Sequence, residues 1–462
     1  MSFDILKELA VHSGESFSLH EKYLNSQMAR MLKTIGFDRQ YVRAKGAHLY
    51  DRDGNKYLDL LAGFGVYAVG RNHPVVKKAL SDVLGADLPN MVQMDVSLLS
   101  GLLAQRLLSL MQGQERVFFC SSGTEAVESA IKLARAATGR AKLVFCDHAF
   151  HGLTMGALSL NGDETFRGGF GPLLADTVRV PFNDLAALEA VLSRRDVAAF
   201  FVEPIQGKGV NIPAPGYLAQ AAQMCRKHGS LFVADEVQTG IGRTGSFLAS
   251  TEDGVDPDLV LLAKALSGGF VPVGAVVGKR WVFEKTFSRM DRAVVHGSTF
   301  GKNNLAMAAG LAALAVLEEE RLMENAARRG DSLLRRLGAL TEKYELLHEV
   351  RGRGLMIALE FGPPTSLALR TAWSVLDKAM KGLFCQMVVI PLFRRHRVLS
   401  QVAGHCLHVI KLLPPLCITE EDEDWIVRAF DDVIADCHRV PGAAWEMATT
   451  LAAQALKNRA GT

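Results

Sequence analysis

Between residues 74 and 340 the chain keeps returning to one pattern: a short apolar run without a polar member, then an amphipathic stretch with helical spacing. The runs fall at 117–119, 143–145, 198–202, 231–233 and 259–262. A strand with one wet face alternates apolar and polar residues, whereas an uninterrupted apolar run needs cover on both faces. Helices packed on either side of a parallel sheet provide that cover. The pattern predicts an α/β fold with a mostly parallel central sheet over 74–340.

The flanks read differently. Residues 46–60, GAHLYDRDGNKYLDL, form a hairpin pattern around the turn signal Asp53-Gly54. After residue 340 come strands near 355–361 and 406–412 and a helix over about 420–436. The expected layout is a large domain over 74–340 and a small α+β domain built from both chain ends, 1–73 and 341–462. The tail, 441–462, has Trp445, Ala448, Leu451, Ala452 and Leu456 on one helical side, and is expected to dock on the protein's own surface.

Composition removes several classes of function. Lys and Arg total 52 against 49 Asp and Glu, a net charge of +3 that gives no electrostatic footprint for nucleic acid. The seven cysteines include no CxxC pair, so free thiols in a cytoplasmic protein are expected rather than a disulfide scaffold or zinc ribbon. The N-terminus lacks a basic head followed by an apolar core, so no signal peptide is expected. The longest uncharged apolar run, 305–317, is thirteen residues, too short to span a bilayer as a helix, and reads as a buried core helix.

Three stretches carry side chains able to do chemistry. In VFFCSSGTEA, 117–126, an apolar strand runs through Ser-Ser-Gly-Thr into a helix, whose free N–H groups and dipole suit a phosphate. Taken alone, an ordinary N-cap explains it as well. In LFVADEVQTGIGRTG, 231–245, Asp235 and Glu236 follow a buried strand at the edge where α/β proteins place ligands. Either a helix cap or a ligand for a protonated ring nitrogen or a metal fits there. In LVLLAKALSGG, 259–269, Lys264 ends a buried strand, where a lysine either snorkels or becomes a low-pKa, imine-forming amine. Together, a phosphate cradle, a carboxylate and a desolvated lysine are what pyridoxal phosphate (PLP) requires of a protein.

These stretches, with FHG, VEPIQG, HGSTF and VRGRGLM in the same order, resemble the class III (ω-type) PLP-dependent aminotransferases of fold type I over residues 37–439. The resemblance implies a PLP-dependent transaminase in which Lys264 forms the Schiff base and Asp235 pairs with the ring nitrogen. Ser122, Gly123 and Thr124 would hold the phosphate, Phe150 and Val237 would flank the ring, and Gln238 would bond its phenolic oxygen. Thr299 matches a residue that reaches the phosphate of a neighbouring subunit, which implies a homodimer with shared sites. Glu203 and Arg351 resemble a Glu–Arg gate for glutamate or 2-oxoglutarate, which favours transamination over a decarboxylase, racemase or aminomutase on the same fold. No metal is implied.

Ornithine and acetylornithine aminotransferases carry FHGR or FWGR, but the stretch here is Phe150-His151-Gly152-Leu153. Leu153 offers no guanidinium to an α-carboxylate, and Phe64 stands where ornithine aminotransferase places a tyrosine. The expected partner is therefore an amine or aldehyde without an α-carboxylate, such as a diamine or the terminal aldehyde of a larger apolar metabolite. The alternative is an ornithine or acetylornithine substrate. A non-catalytic member of the fold is disfavoured, because Lys264 and Asp235 are both present. Residues 385–416, longer than the family's usual connection and rich in Arg and His, are expected to form a surface loop leading into a strand.

Overall fold

The computed structural model describes residues 3–92, 95–379, 381–404, 407–442 and 444–446. The chain opens with helices Ile5–Val11, Ser16–Tyr23 and Ser26–Ile35, then the antiparallel strands β1 (Tyr41–Lys45), β2 (His48–Asp51) and β3 (Lys56–Asp59). The β2–β3 turn falls at Asp53-Gly54, with Gly54 at φ +80° in the left-handed region that glycine enters without steric cost.

The central sheet is built from β4 (Arg116–Cys120), β5 (Lys142–Cys146), β6 (Thr177–Val180), β7 (Val197–Val202), β8 (Leu231–Asp235), β9 (Leu259–Leu262) and β10 (Gly274–Gly278). Its order is β4-β10-β9-β8-β7-β5-β6. Every pair from β9 to β6 is parallel, while β10 lies antiparallel to both β9 and β4. Strands β7, β8 and β9 are buried at every residue, as uninterrupted apolar runs demand. Since β10 reverses twice, β4 points the same way as β9. The carboxyl ends of β4, β5, β7, β8 and β9 therefore share one edge of the sheet. The 305–317 run lies in helix Asn304–Glu319, capped by Asn303 and buried against helices Pro74–Gly85 and Leu98–Leu110. Among the described residues no helix is long and apolar enough to cross a membrane.

A second sheet, in order β11-β12-β15-β14, contains β11 (Leu347–Arg353), β12 (Met356–Phe361), β14 (Gln401–Val402) and β15 (Val409–Leu412). Between them β13 (Val398–Leu399) crosses to the first sheet and pairs in parallel with β3. Further along, Leu413 N donates to Leu60 O and Leu416 N to Ala68 O, so the C-terminal chain is stitched to the N-terminal segment. The helix expected over 420–436 is Glu420–Cys437, opened by a Thr419–Asp422 capping box.

Residues 385–416 are not a surface loop. They begin in helix Phe384–Arg394, which buries Cys385, Met387, Val388, Val389, Ile390, Leu392 and Phe393 in the core. Pro391 sits near the C-terminus of that helix and does not prevent it. The basic residues that follow are separately engaged: Arg395 pairs with Asp436, His396 with Asp432 and His408 with Asp377. His405 lies outside the described residues. So does most of the tail, although Trp445 is buried and its Nε1 donates to Cys437 O at 2.9 Å.

Candidate active site

At the shared edge of the central sheet lies a cavity of about 730 Å³. The loops after β4, β5, β7, β8 and β9 bring to it Ser122, Gly123, Thr124, Phe150, Glu203, Asp235, Val237, Gln238 and Lys264, and Phe64 enters from the N-terminal segment. This is the strand-end crevice where open α/β sheets bind ligands.

Lys264 heads a single 3₁₀ turn that closes on the left-handed Gly268. Its own backbone is at φ +42°, a strained conformation for a residue with a Cβ, and such strain is found chiefly where the surrounding fold must aim a side chain. The Nζ atom has no hydrogen bond or ion pair among the described residues. Burial holds the amine below its ordinary pKa, partly opposed by the negative charges of Asp235 and Glu203.

Asp235, at the end of β8, is 4% exposed. One carboxylate oxygen accepts from Val237 N at 3.1 Å and the other contacts His151 Nδ1 at 2.7 Å. His151 is buried too. Burial alone would press its pKa down, but the Asp235 carboxylate and, more weakly, Glu203 carry it above the ordinary value. Its Nε2 is buried without a partner among the described residues. The FHG motif contains this histidine, yet sequence reasoning gave it no role. A histidine immediately after the expected aromatic was the only available signal.

The phosphate-loop residues form the start of helix Gly123–Thr138. Ser122 is its N-cap, with Oγ accepting from Glu125 N at 3.2 Å. That leaves the amides of Gly123 and Thr124 without an acceptor in the first turn. A Cβ on Gly123 would stand 3.0 Å from Val237 Cγ1, a close approach that glycine avoids between the helix start and the β8 loop. Thr124 Oγ1 bonds Thr154 Oγ1 at 2.7 Å, tying the cradle to the loop after β5.

Glu203 faces inward, accepting from Phe150 N at 3.0 Å and Gly207 N at 2.8 Å, and burial raises its pKa. Phe150 stands edge-on to Phe166, and Lys208 Nζ lies 3.5 Å from the Phe166 ring centroid and 5.3 Å from that of Phe150. Lys208 also pairs with Asp163 at 3.2 Å. On β15, Lys411 reaches the cavity and donates to Gly207 O and Gln238 Oε1. Sequence reasoning singled out neither lysine, and both line the cavity.

Three expected residues lie elsewhere. Arg351 is not opposite Glu203. It sits on β11 outside the cavity, with its guanidinium held by Gly209 O at 2.7 Å, Val210 O at 3.0 Å, and the carboxylates of Glu349 and Glu360. The two residues therefore form no gate. The VRGRGLM motif has a packing origin instead: Gly354 is at φ +53°, and a Cβ there would lie 2.4 Å from the Thr244 carbonyl carbon. Leu153 is 57% exposed and does not line the cavity, although Gly152 beside it does. Thr299 is exposed and outside the cavity of its own chain.

Comparison with known proteins places this geometry. The class-III aminotransferase family model matches residues 33–434. Aminotransferase PigE from a Serratia species is 35% identical over 452 residues, covering 91% of this chain, and this chain spans only 53% of that relative's length. Ornithine aminotransferase from Bacillus cereus is 37% identical over 412 residues, covering 85% of this chain and 93% of the relative. Among solved structures, ornithine aminotransferase from Toxoplasma gondii, described with partial occupancy of PLP at its active site, superposes with a TM-score of 0.83 at 32% identity. That match covers 95% of this chain and all of the other. With the family matched along most of its length and the cavity built at the matching strand ends, the chain belongs to the class-III aminotransferases, which depend on PLP.

Proposed function

We propose that Lys264 is the residue that holds PLP and that the protein moves an amino group between glutamate or 2-oxoglutarate and a second amine or carbonyl compound. The observation that carries this reading is the convergence of an unpaired buried amine, a buried carboxylate and free helix-start amides on one cavity. The residues present fit the cofactor. The Gly123 and Thr124 amides suit its phosphate, Asp235 suits its ring nitrogen, and Phe150 and Val237 suit the two faces of its ring. Bound PLP supplies an electron sink for charge at the carbon beside the transferred nitrogen.

The chain's own residues do the rest. Lys264, whose pKa burial depresses, is the amine placed to take and return a proton at the substrate's Cα. Asp235, oriented by His151 and the Val237 amide, presents its carboxylate where a ring proton must be held. Glu203 holds the Phe150 and Gly207 amides and thereby the shape of two walls. Replacing Lys264 with Ala should abolish turnover and the Lys264-dependent visible absorbance of bound cofactor. Near-normal turnover with saturating PLP would overturn the assignment.

For the second substrate two readings have support. The absence of an arginine at Leu153, with Phe64 at the cavity, favours a diamine or an apolar aldehyde. The similarity to ornithine aminotransferases favours ornithine or acetylornithine, and Lys208 offers a cation to a carboxylate in place of Arg351. A panel of putrescine, a long-chain aldehyde, ornithine and acetylornithine separates them. The first reading requires putrescine or the aldehyde to exceed both amino acids in kcat/KM by about tenfold, the worth of one charge-assisted contact. Amino-acid preference supports the second.

The proposal includes a cytoplasmic homodimer with sites shared between subunits. Support comes from the exposure of Thr299 outside its own cavity, and from six described cysteines that are all free. It also includes the division into a unit over 74–340 and one from 1–73 with 341–462, supported by the β3–β13 pairing.

A further inference from the structure

The side-chain amide of Gln238 is fixed at both ends. Nε2 donates to Phe64 O at 3.0 Å, and Oε1 accepts from Lys411 Nζ at 3.1 Å. The same Nζ donates to Gly207 O at 2.5 Å. Gly207 is in turn packed against this amide, because a Cβ there would stand 2.7 Å from Gln238 Oε1. Three separate segments, the Phe64 turn, the loop after β7 and strand β15, thus meet at one glutamine.

A glutamine amide can turn over and exchange its oxygen for its NH2 group, and only its partners decide which side faces a ligand. Turned over here, the NH2 would face the Lys411 amine and the oxygen would face the Phe64 carbonyl, a mismatch at both ends. We infer that Lys411 is a positioning residue that locks the Gln238 amide with its NH2 available to the cavity, so that the cofactor's phenolic oxygen always meets a donor. This rests on the reading that the cavity holds PLP.

The lock does not need a charged lysine. Burial, then the neighbouring positive charge of Lys264, pulls Lys411 down to about 7, against a contribution from Glu203, with Lys208 and Arg243 also facing it. A neutral amine retains two N–H groups, which is the number that Gly207 O and Gln238 Oε1 require. A purely electrostatic role would fade as Lys411 loses its proton, and a positional role would not.

The test is a double-mutant cycle on the PLP-loaded protein, read as the pH midpoint of the cofactor's visible band and its position at pH 8.5. Lys411→Met should raise the midpoint, because losing a donor disfavours the charged oxygen, by roughly half a unit or more. In a Gln238→Leu background the same substitution should move it less than half as far. Lys411→Arg, which keeps the donors, should hold the wild-type band position. Should Lys411→Met fail to fold, Lys411→Leu, which likewise lacks a donor, is paired with Gln238→Leu and is expected to give the same reduction. Equal shifts in both backgrounds, no shift in either, or an effect confined to pH below 7 overturns the inference. A wild-type protein with no Lys264-dependent band would instead overturn the reading beneath it.

Discussion

At the scale of single residues, the legible chemistry was that of side chains whose neighbours leave them little else to do. Lys264 follows five buried apolar residues and Asp235 ends a buried strand, so each would be costly there without a task. Lys208 and Lys411 were not legible, because one follows a glycine turn and the other interrupts an ordinary strand, and only the folded chain brings both to the cavity. Arg351 misled in the opposite direction, since a motif built around Gly354 was read as a substrate site. The Asp235–His151 contact yields a specific expectation. An asparagine at 235 carries no charge to hold a ring proton and cannot accept from both Val237 N and His151 on equal terms. Asp235→Asn should lower kcat by about a hundredfold or more, with cofactor retained through the helix start. A chelator should leave the wild-type rate unchanged, and chelator-sensitive turnover would sink this assignment.

At the scale of elements, the apolar runs located five of the seven central strands, and they are the strands that place the site. β6 and β10 escaped: β6 is a four-residue edge strand with polar members, and β10 runs between two glycines against the direction of its neighbours. The 385–416 segment was misread because its arginines and histidines drew attention from the apolar face that becomes helix Phe384–Arg394. Glycine supplies the sharper test at this scale. Gly354 joins β11 to β12 at φ +53° with no room for a Cβ, whereas Gly54 has φ +80° and open space around it. Alanine at Gly54 should cost only the left-handed conformation, about 1–2 kcal/mol. Alanine at Gly354 adds a backbone clash with Thr244 and should cost roughly 3 kcal/mol or more. Thermal melts of the two variants check the order, and equal losses would mean that the close approach at Gly354 is readily relieved.

At the scale of the whole molecule, exposed apolar residues occur along much of the chain, and one group of them lies next to the cavity. Met290 is 91% exposed, Val96 88% and Val294 83%, and Leu98 and Phe300 are also open to solvent. Val294 and Phe300 bracket His296, Ser298 and Thr299, in the stretch where Ser298 Oγ donates to Glu125 Oε2 at 3.0 Å beside the helix start of the cradle. Scattered apolar residues on a surface need no explanation, but a run of them beside a ligand site is the kind of face that the proposed dimer would cover. A two-fold dimer that covers this face would bring the partner's exposed threonine within the reach the resemblance assigns to it, so association and cofactor retention should be coupled. Met290→Asp with Val294→Asp would place two carboxylates per subunit in the covered face, four across the dimer, where desolvation without partners is costly. The expected outcome is a shift of the sedimentation boundary toward the monomer together with weaker PLP retention on dialysis. Lys264 and the Gly123 amides of each subunit remain intact in that variant, so lost retention would trace to the missing partner. A double variant that sediments as wild type, or a monomer that keeps PLP and full activity, would contradict shared sites.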